Sequence, residues 1–80
     1  MVRNDYYNMD IEDVRNVINM CEKSGVQSIA VEGYEWLIAK GVATEAEYLH
    51  LLAFYHRRGD LFNFYRINAR YRKIYGLERN

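Results

Sequence analysis

Four of the five glycines, Gly25, Gly41, Gly59 and Gly76, punctuate the chain at intervals of 16 to 18 residues, and no proline interrupts the stretches between them. That spacing leaves room for helices of about four turns joined by short loops. Glycine ends a helix because it enters the left-handed conformation at the C′ position without a Cβ clash. Each of these glycines also follows closely on cations: Lys23, Lys40, Arg57 with Arg58, and Arg72 with Lys73. A positive charge there faces the negative end of the helix dipole.

The starts match the stops. Asp10 is placed to cap a helix beginning at Ile11, with Met9 and Val14 as a hydrophobic staple. Thr44 and Glu47 have capping-box spacing, and Asp60 is placed to cap the last helix. Only the second helix lacks a clear cap. Its opening, "VQSIAV", also reads as a short strand, although nothing else in the chain supplies a strand to pair with it. The expectation is an all-α fold: a compact bundle of four short helices at 11–24, 27–40, 45–58 and 61–75, in one domain of 80 residues with a non-helical arm at 1–9.

Turning each segment at about 100° per residue sorts its faces. The first helix places Ile11, Val14, Val17, Ile18 and Cys21 on one stripe. The second is apolar around most of its circumference (Ile29, Ala30, Val31, Tyr34, Trp36, Leu37, Ile38), with a thin edge of Glu32 and Glu35, and so is expected to be the most buried. Gly33 within it costs about 1 kcal/mol relative to alanine, which points to a neighbouring backbone packed close by. The third is expected to bury Tyr48, Leu49, Leu51, Leu52 and Tyr55 and to leave Phe54 outside. The fourth is expected to turn Leu61, Phe64, Ile67, Tyr71 and Ile74 inward and to set Asn63, Arg66, Arg70 and Lys73 along its outer face.

The segment "WLIAKGVATEAEYLHLL" resembles the hairpin of helix, Lys-Gly, hydrophobic residue, Thr-x-x-Glu and helix found in SHOCT domains and in many small bacterial and phage accessory proteins. The likeness consists of a helix stop followed by a capping box. It implies a helical hairpin and no particular function.

Composition narrows the function classes. The single cysteine excludes an internal disulfide, no secretory leader is apparent, and no apolar run approaches the roughly 18 residues of a membrane span, so a soluble cytoplasmic protein is expected. His50 and His56 fall on different helix faces. Glu47 and His50 make an E-x-x-H pair, but the carboxylates that would complete a di-metal site are missing. Cys21 lies on an apolar stripe, as inert structural thiols do. There is no glycine-rich phosphate loop, zinc spacing or nucleophile elbow. No enzyme activity, cofactor or metal is expected.

Charge is distributed unevenly beneath a net of zero. Residues 1–56 carry four basic and nine acidic side chains, a net of −5, and residues 57–80 carry seven basic and two acidic, a net of +5. The stretch "FNFYRINARYRKIYG" sets four cations among five aromatic rings without a carboxylate. Arg66 and Arg70, four apart in mid-helix, repel one another by a few tenths of a kcal/mol, and no acid within the helix relieves them, so their partner is expected outside it. The acids of the first two helices are one candidate source. An acidic protein surface is another: the expected function is a non-enzymatic protein-interaction module, a small adaptor, regulator or inhibitor, binding through Asn63, Arg66, Arg70 and Lys73 with Phe54 and Arg58. Nucleic acid bound by the same arginines is the alternative, weakened by the assignment of Phe64 and Tyr71 to the core, which separates rings from charges. A homo-oligomer formed through the aromatic surplus is the third reading.

Overall fold

A computed structural model describes residues 10–76. They form four helices: α1 (Ile11–Ser24), α2 (Gln27–Lys40), α3 (Glu45–Arg57) and α4 (Leu61–Ile74). No strand occurs among the described residues, and the strand reading of "VQSIAV" is overturned by a helix that begins at Gln27. α3 and α4 each stop one residue before the expected end. The arm at 1–9, including Met9 of the expected staple, lies outside the described residues.

Gly25 and Gly41 take left-handed backbone angles, with φ of 81° and 76°. At the first, the Gly25 and Val26 amides donate to the carbonyls of Glu22 and Cys21 at 3.3 and 2.8 Å. At the second, Gly41 and Val42 donate to Ile38 and Leu37 at 3.0 and 3.1 Å. This double closure is the Schellman motif, which satisfies carbonyls that the helix itself leaves without donors. Gly76 does not repeat it. α4 ends through Tyr75 in the right-handed region (φ −109°, ψ −30°), and its amide donates to the Tyr71 carbonyl at 2.8 Å.

Among the N-termini, Thr44 and Glu47 form the full capping box: the Glu47 amide donates to Thr44 Oγ1 at 3.2 Å and the Thr44 amide to Glu47 Oε1 at 2.8 Å. Thr44→Ala is expected to destabilise the protein by about 1 kcal/mol, read as a lower urea midpoint with unchanged slope. Asp60 caps α4 as expected. Asp10 departs from expectation, since its side chain makes no capping bond; α1 starts on the Asp10 carbonyl, which accepts from the Val14 amide at 3.0 Å. Glu12 and Asp13 place negative charge in that first turn, where the dipole favours it.

The chain divides between Val42 and Ala43 into two units, each a helical hairpin. In the first, Val14 and Ile18 of α1 and Ala30, Gly33, Tyr34, Leu37 and Ile38 of α2 are buried. The close approach expected at Gly33 is present, but it is made by a side chain rather than by backbone: a Cβ at Gly33 would lie 2.6 Å from Ile18 Cγ1 and 2.9 Å from its Cδ1. Two polar bonds close the hairpin. Tyr34 Oη donates to Glu22 Oε2 at 2.8 Å, and Arg15 Nη2 donates to the Val42 carbonyl at 3.0 Å. The Lys40 ammonium lies 5.4 Å from the Trp36 ring centre. α2 and α3 bury four side chains each, with Gly33 of α2 enclosed besides, so α2 does not stand out as expected: Ile29 is exposed and Val31 and Trp36 are half-buried. Cys21 is half-buried as well.

In the second unit, Tyr48, Leu51, Leu52 and Tyr55 of α3 are buried. The rings of Tyr48, Tyr71 and Tyr75 cluster with centroid separations of 6.0, 5.9 and 5.1 Å, and Tyr71 Oη donates to Glu45 Oε2 at 2.7 Å. These contacts tie the start of α3 to the end of α4. His56 against Phe64, at 5.7 Å, ties the end of α3 to the start of α4. Several apolar residues assigned inward stay in water. Leu49, Leu61 and Ile74 are 47, 51 and 49 % exposed, Phe64 and Tyr71 are half-buried, and only Ile67 of the expected α4 stripe is fully enclosed. Chains this short bury a modest fraction of their surface, so an apolar stripe runs wider than the contact it makes.

Candidate interaction surface

The outer surface of α4 begins at its cap. Asp60 accepts from the Asn63 amide through Oδ1 at 3.3 Å and from Asn63 Nδ2 through Oδ2 at 2.8 Å. With its amide nitrogen held there, Asn63 turns Oδ1 toward Arg66, whose Nε and Nη2 donate to it at 3.1 and 2.9 Å. The spacing of three residues puts Asp60, Asn63 and Arg66 above one another on successive turns. Arg66 thus has a hydrogen-bond partner within α4 itself, a neutral amide that does not supply the counter-charge expected from outside the helix. Because the amide carries no charge of its own, this bond orients the guanidinium without introducing a carboxylate.

The six residues singled out from the sequence occupy two places. Asn63 is half-buried, and Arg66, Arg70 and Lys73 are exposed along α4. Phe54 and Arg58 form a separate pair at the end of α3. Phe54 is half-buried rather than outside, edge-on to Tyr55 at 5.6 Å and 67°, with the Arg58 guanidinium 5.3 Å from its ring centre. That cover lowers the area Phe54 can offer to a partner.

Two residues absent from the sequence reading belong to the surface. Phe62 is 78 % and Tyr65 62 % exposed, the former above any other large apolar side chain among the described residues. The signal was available. At about 100° per residue, Phe62 projects about 40° from Arg66 and about 20° from Lys73, so ring and charges share a face. The expected segregation of rings from cations holds for Phe64 and Tyr71, which contact other rings of their own unit, and fails for Phe62 and Tyr65.

The surface offers charge, hydrogen-bond donors and apolar area. Among the described residues, no three His, Cys, Asp or Glu side chains gather as a metal site requires. Glu47, the carboxylate of the E-x-x-H pair, is occupied in the capping box. No family model, curated protein or solved structure matches the chain. No helix among the described residues is long and apolar enough to cross a membrane.

Proposed function

We propose that the protein is a non-enzymatic interaction module of the reducing cytoplasm that binds an acidic protein surface through the outer face of α4. The observation that carries this reading is the exposure, on one helix without a carboxylate, of Phe62 and Tyr65 beside Arg66, Arg70, Arg72 and Lys73. Exposed aromatic rings and guanidinium groups are the side chains that dominate binding energy at protein interfaces, because they offer large, rigid contact area. The hold of Asn63 on Arg66 fixes part of that side chain before any partner arrives, which reduces the entropy lost on binding. The absence of acid along α4 selects for a partner of negative charge and speeds its approach.

Nucleic acid is the second reading, favoured by the shared face of rings and cations. The apolar area around those cations argues for protein instead, since nucleic-acid interfaces are more polar and more strongly cationic. A photo-crosslinking amino acid placed at Phe62 in the source cells separates the two. The expected result is a discrete protein adduct that resists nuclease and falls at least tenfold when Arg66→Glu and Arg70→Glu are introduced together, with far-UV helicity unchanged. A nuclease-sensitive adduct, or one indifferent to the charge reversal, overturns the proposal.

A further inference from the structure

The exposed residues of α4 are not mixed evenly along its length. Phe62 and Tyr65 lie among its first five positions, and Arg66, Arg70, Arg72 and Lys73 among its last nine, while Leu61, about 100° around the axis from Phe62, stands to one side of the face that Phe62 shares with Arg66 and Lys73. Ile74, the remaining exposed apolar residue of the helix, lies about 120° around the axis from Phe62 and so off this face. The face therefore has an apolar, aromatic end and a cationic end, the second extending roughly 12 Å at 1.5 Å per residue. Arg66 stands at the junction, fixed to Asn63, which is fixed to the Asp60 cap.

We infer that the partner element is a short segment built in two parts, an apolar or aromatic anchor next to a run of carboxylates, laid along α4 with the anchor against Phe62 and Tyr65. This deepens the proposed function and rests on it. A uniformly acidic patch would leave Phe62, the most exposed ring among the described residues, unused in water. An anionic membrane surface would favour apolar residues spread along the full helix with cations at the margins, not confined to one end. A nucleic-acid strand would favour rings alternating with cations, so that bases stack while phosphates are neutralised. The lengthwise separation fits a peptide whose own sequence separates anchor from acid.

Fluorescence anisotropy with the full chain tests this directly. Three labelled peptides of about a dozen residues serve as probes: one with a Leu-Trp pair followed by a Glu/Asp run, one of the same composition with Leu and Trp dispersed through the acids, and one with Leu-Trp replaced by Ser-Ser. An oligonucleotide and vesicles containing phosphatidylserine complete the set. The two-part peptide is expected to bind at least tenfold tighter than either control. Phe62→Ala with Tyr65→Ala should abolish that preference, and Arg70→Glu with Lys73→Glu should weaken all three peptides. Helicity is checked for both variants. Equal binding of the three peptides, no measurable binding of any, tighter binding of the oligonucleotide or vesicles, or a preference that survives loss of both rings overturns the inference. The surface itself stands or falls separately, by whether the Phe62 adduct is a protein and responds to the charges.

Discussion

Ile67→Ala is expected to destabilise the protein by about 2–5 kcal/mol and to release the helix that carries the proposed surface. Ile67 is 0 % exposed and is the only buried residue of α4. Its truncation removes apolar contacts and leaves a cavity that neighbouring side chains fill only in part. A chain of this length has a total stability of roughly 4–12 kcal/mol, so the variant sits near its unfolding midpoint at room temperature. Urea titration followed by far-UV dichroism measures the loss. Leu61→Ala and Ile74→Ala share the apolar stripe of the sequence but are half in water, and each should cost about 1 kcal/mol or less. If all three variants lose similar stability, α4 packs on its whole apolar stripe and the narrow contact described here is wrong.

The second large effect is at Gly33. A Cβ there meets Ile18 Cγ1 at 2.6 Å, and that atom is close to the α1 backbone rather than at the flexible end of the side chain. Ile18 is buried and β-branched, with one strongly preferred χ1 angle in a helix, so it cannot simply swing aside. Gly33→Val is expected to cost about 3 kcal/mol through overpacking, and Gly33→Ala about 1 kcal/mol once its gain in helix propensity is subtracted. A double-mutant cycle gives the sharper result. Ile18→Ala vacates the space, so adding Gly33→Ala to it should raise stability by about 1 kcal/mol where the same change lowers it in the parent chain. The same sign in both backgrounds would mean that the glycine is kept for some reason other than contact with Ile18.

These two sites mark where sequence reasoning succeeds and where it stops. Helix number and boundaries were legible because they are local: a Schellman glycine at Gly25 or Gly41, or a capping box at Thr44 and Glu47, involves residues no more than a turn or so apart. Burial is not local. Periodicity places Leu49, Leu61 and Ile74 beside buried neighbours without saying how wide a stripe the opposing helix covers, and all three remain in water. Gly33 lies between: its cost announced a close contact, and only packing identified Ile18 as the neighbour. At Asp10 the residue type was right for a cap, and the side chain takes no part in one.

The proposed surface shows the same division. Arg66, Arg70 and Lys73 face water as helical spacing implied. Phe62 and Tyr65 belong to neither the expected core stripe nor the expected basic row, although their angular positions place them among the cations. The chain of bonds from Asp60 through Asn63 to Arg66 depends on side-chain rotamers, for which a spacing of three residues is a necessary sign and not a sufficient one.

The Tyr34 to Glu22 and Arg15 to Val42 bonds, like the Gly33 contact with Ile18, close entirely within residues 15–42. During synthesis, the N-terminal hairpin can thus acquire these ties while the remainder of the polypeptide is still in the ribosomal exit tunnel. Short loops between interacting segments make such closure fast. A nascent chain halted with α1 and α2 outside the ribosome should already resist protease across those two helices, before the basic helix has left the tunnel.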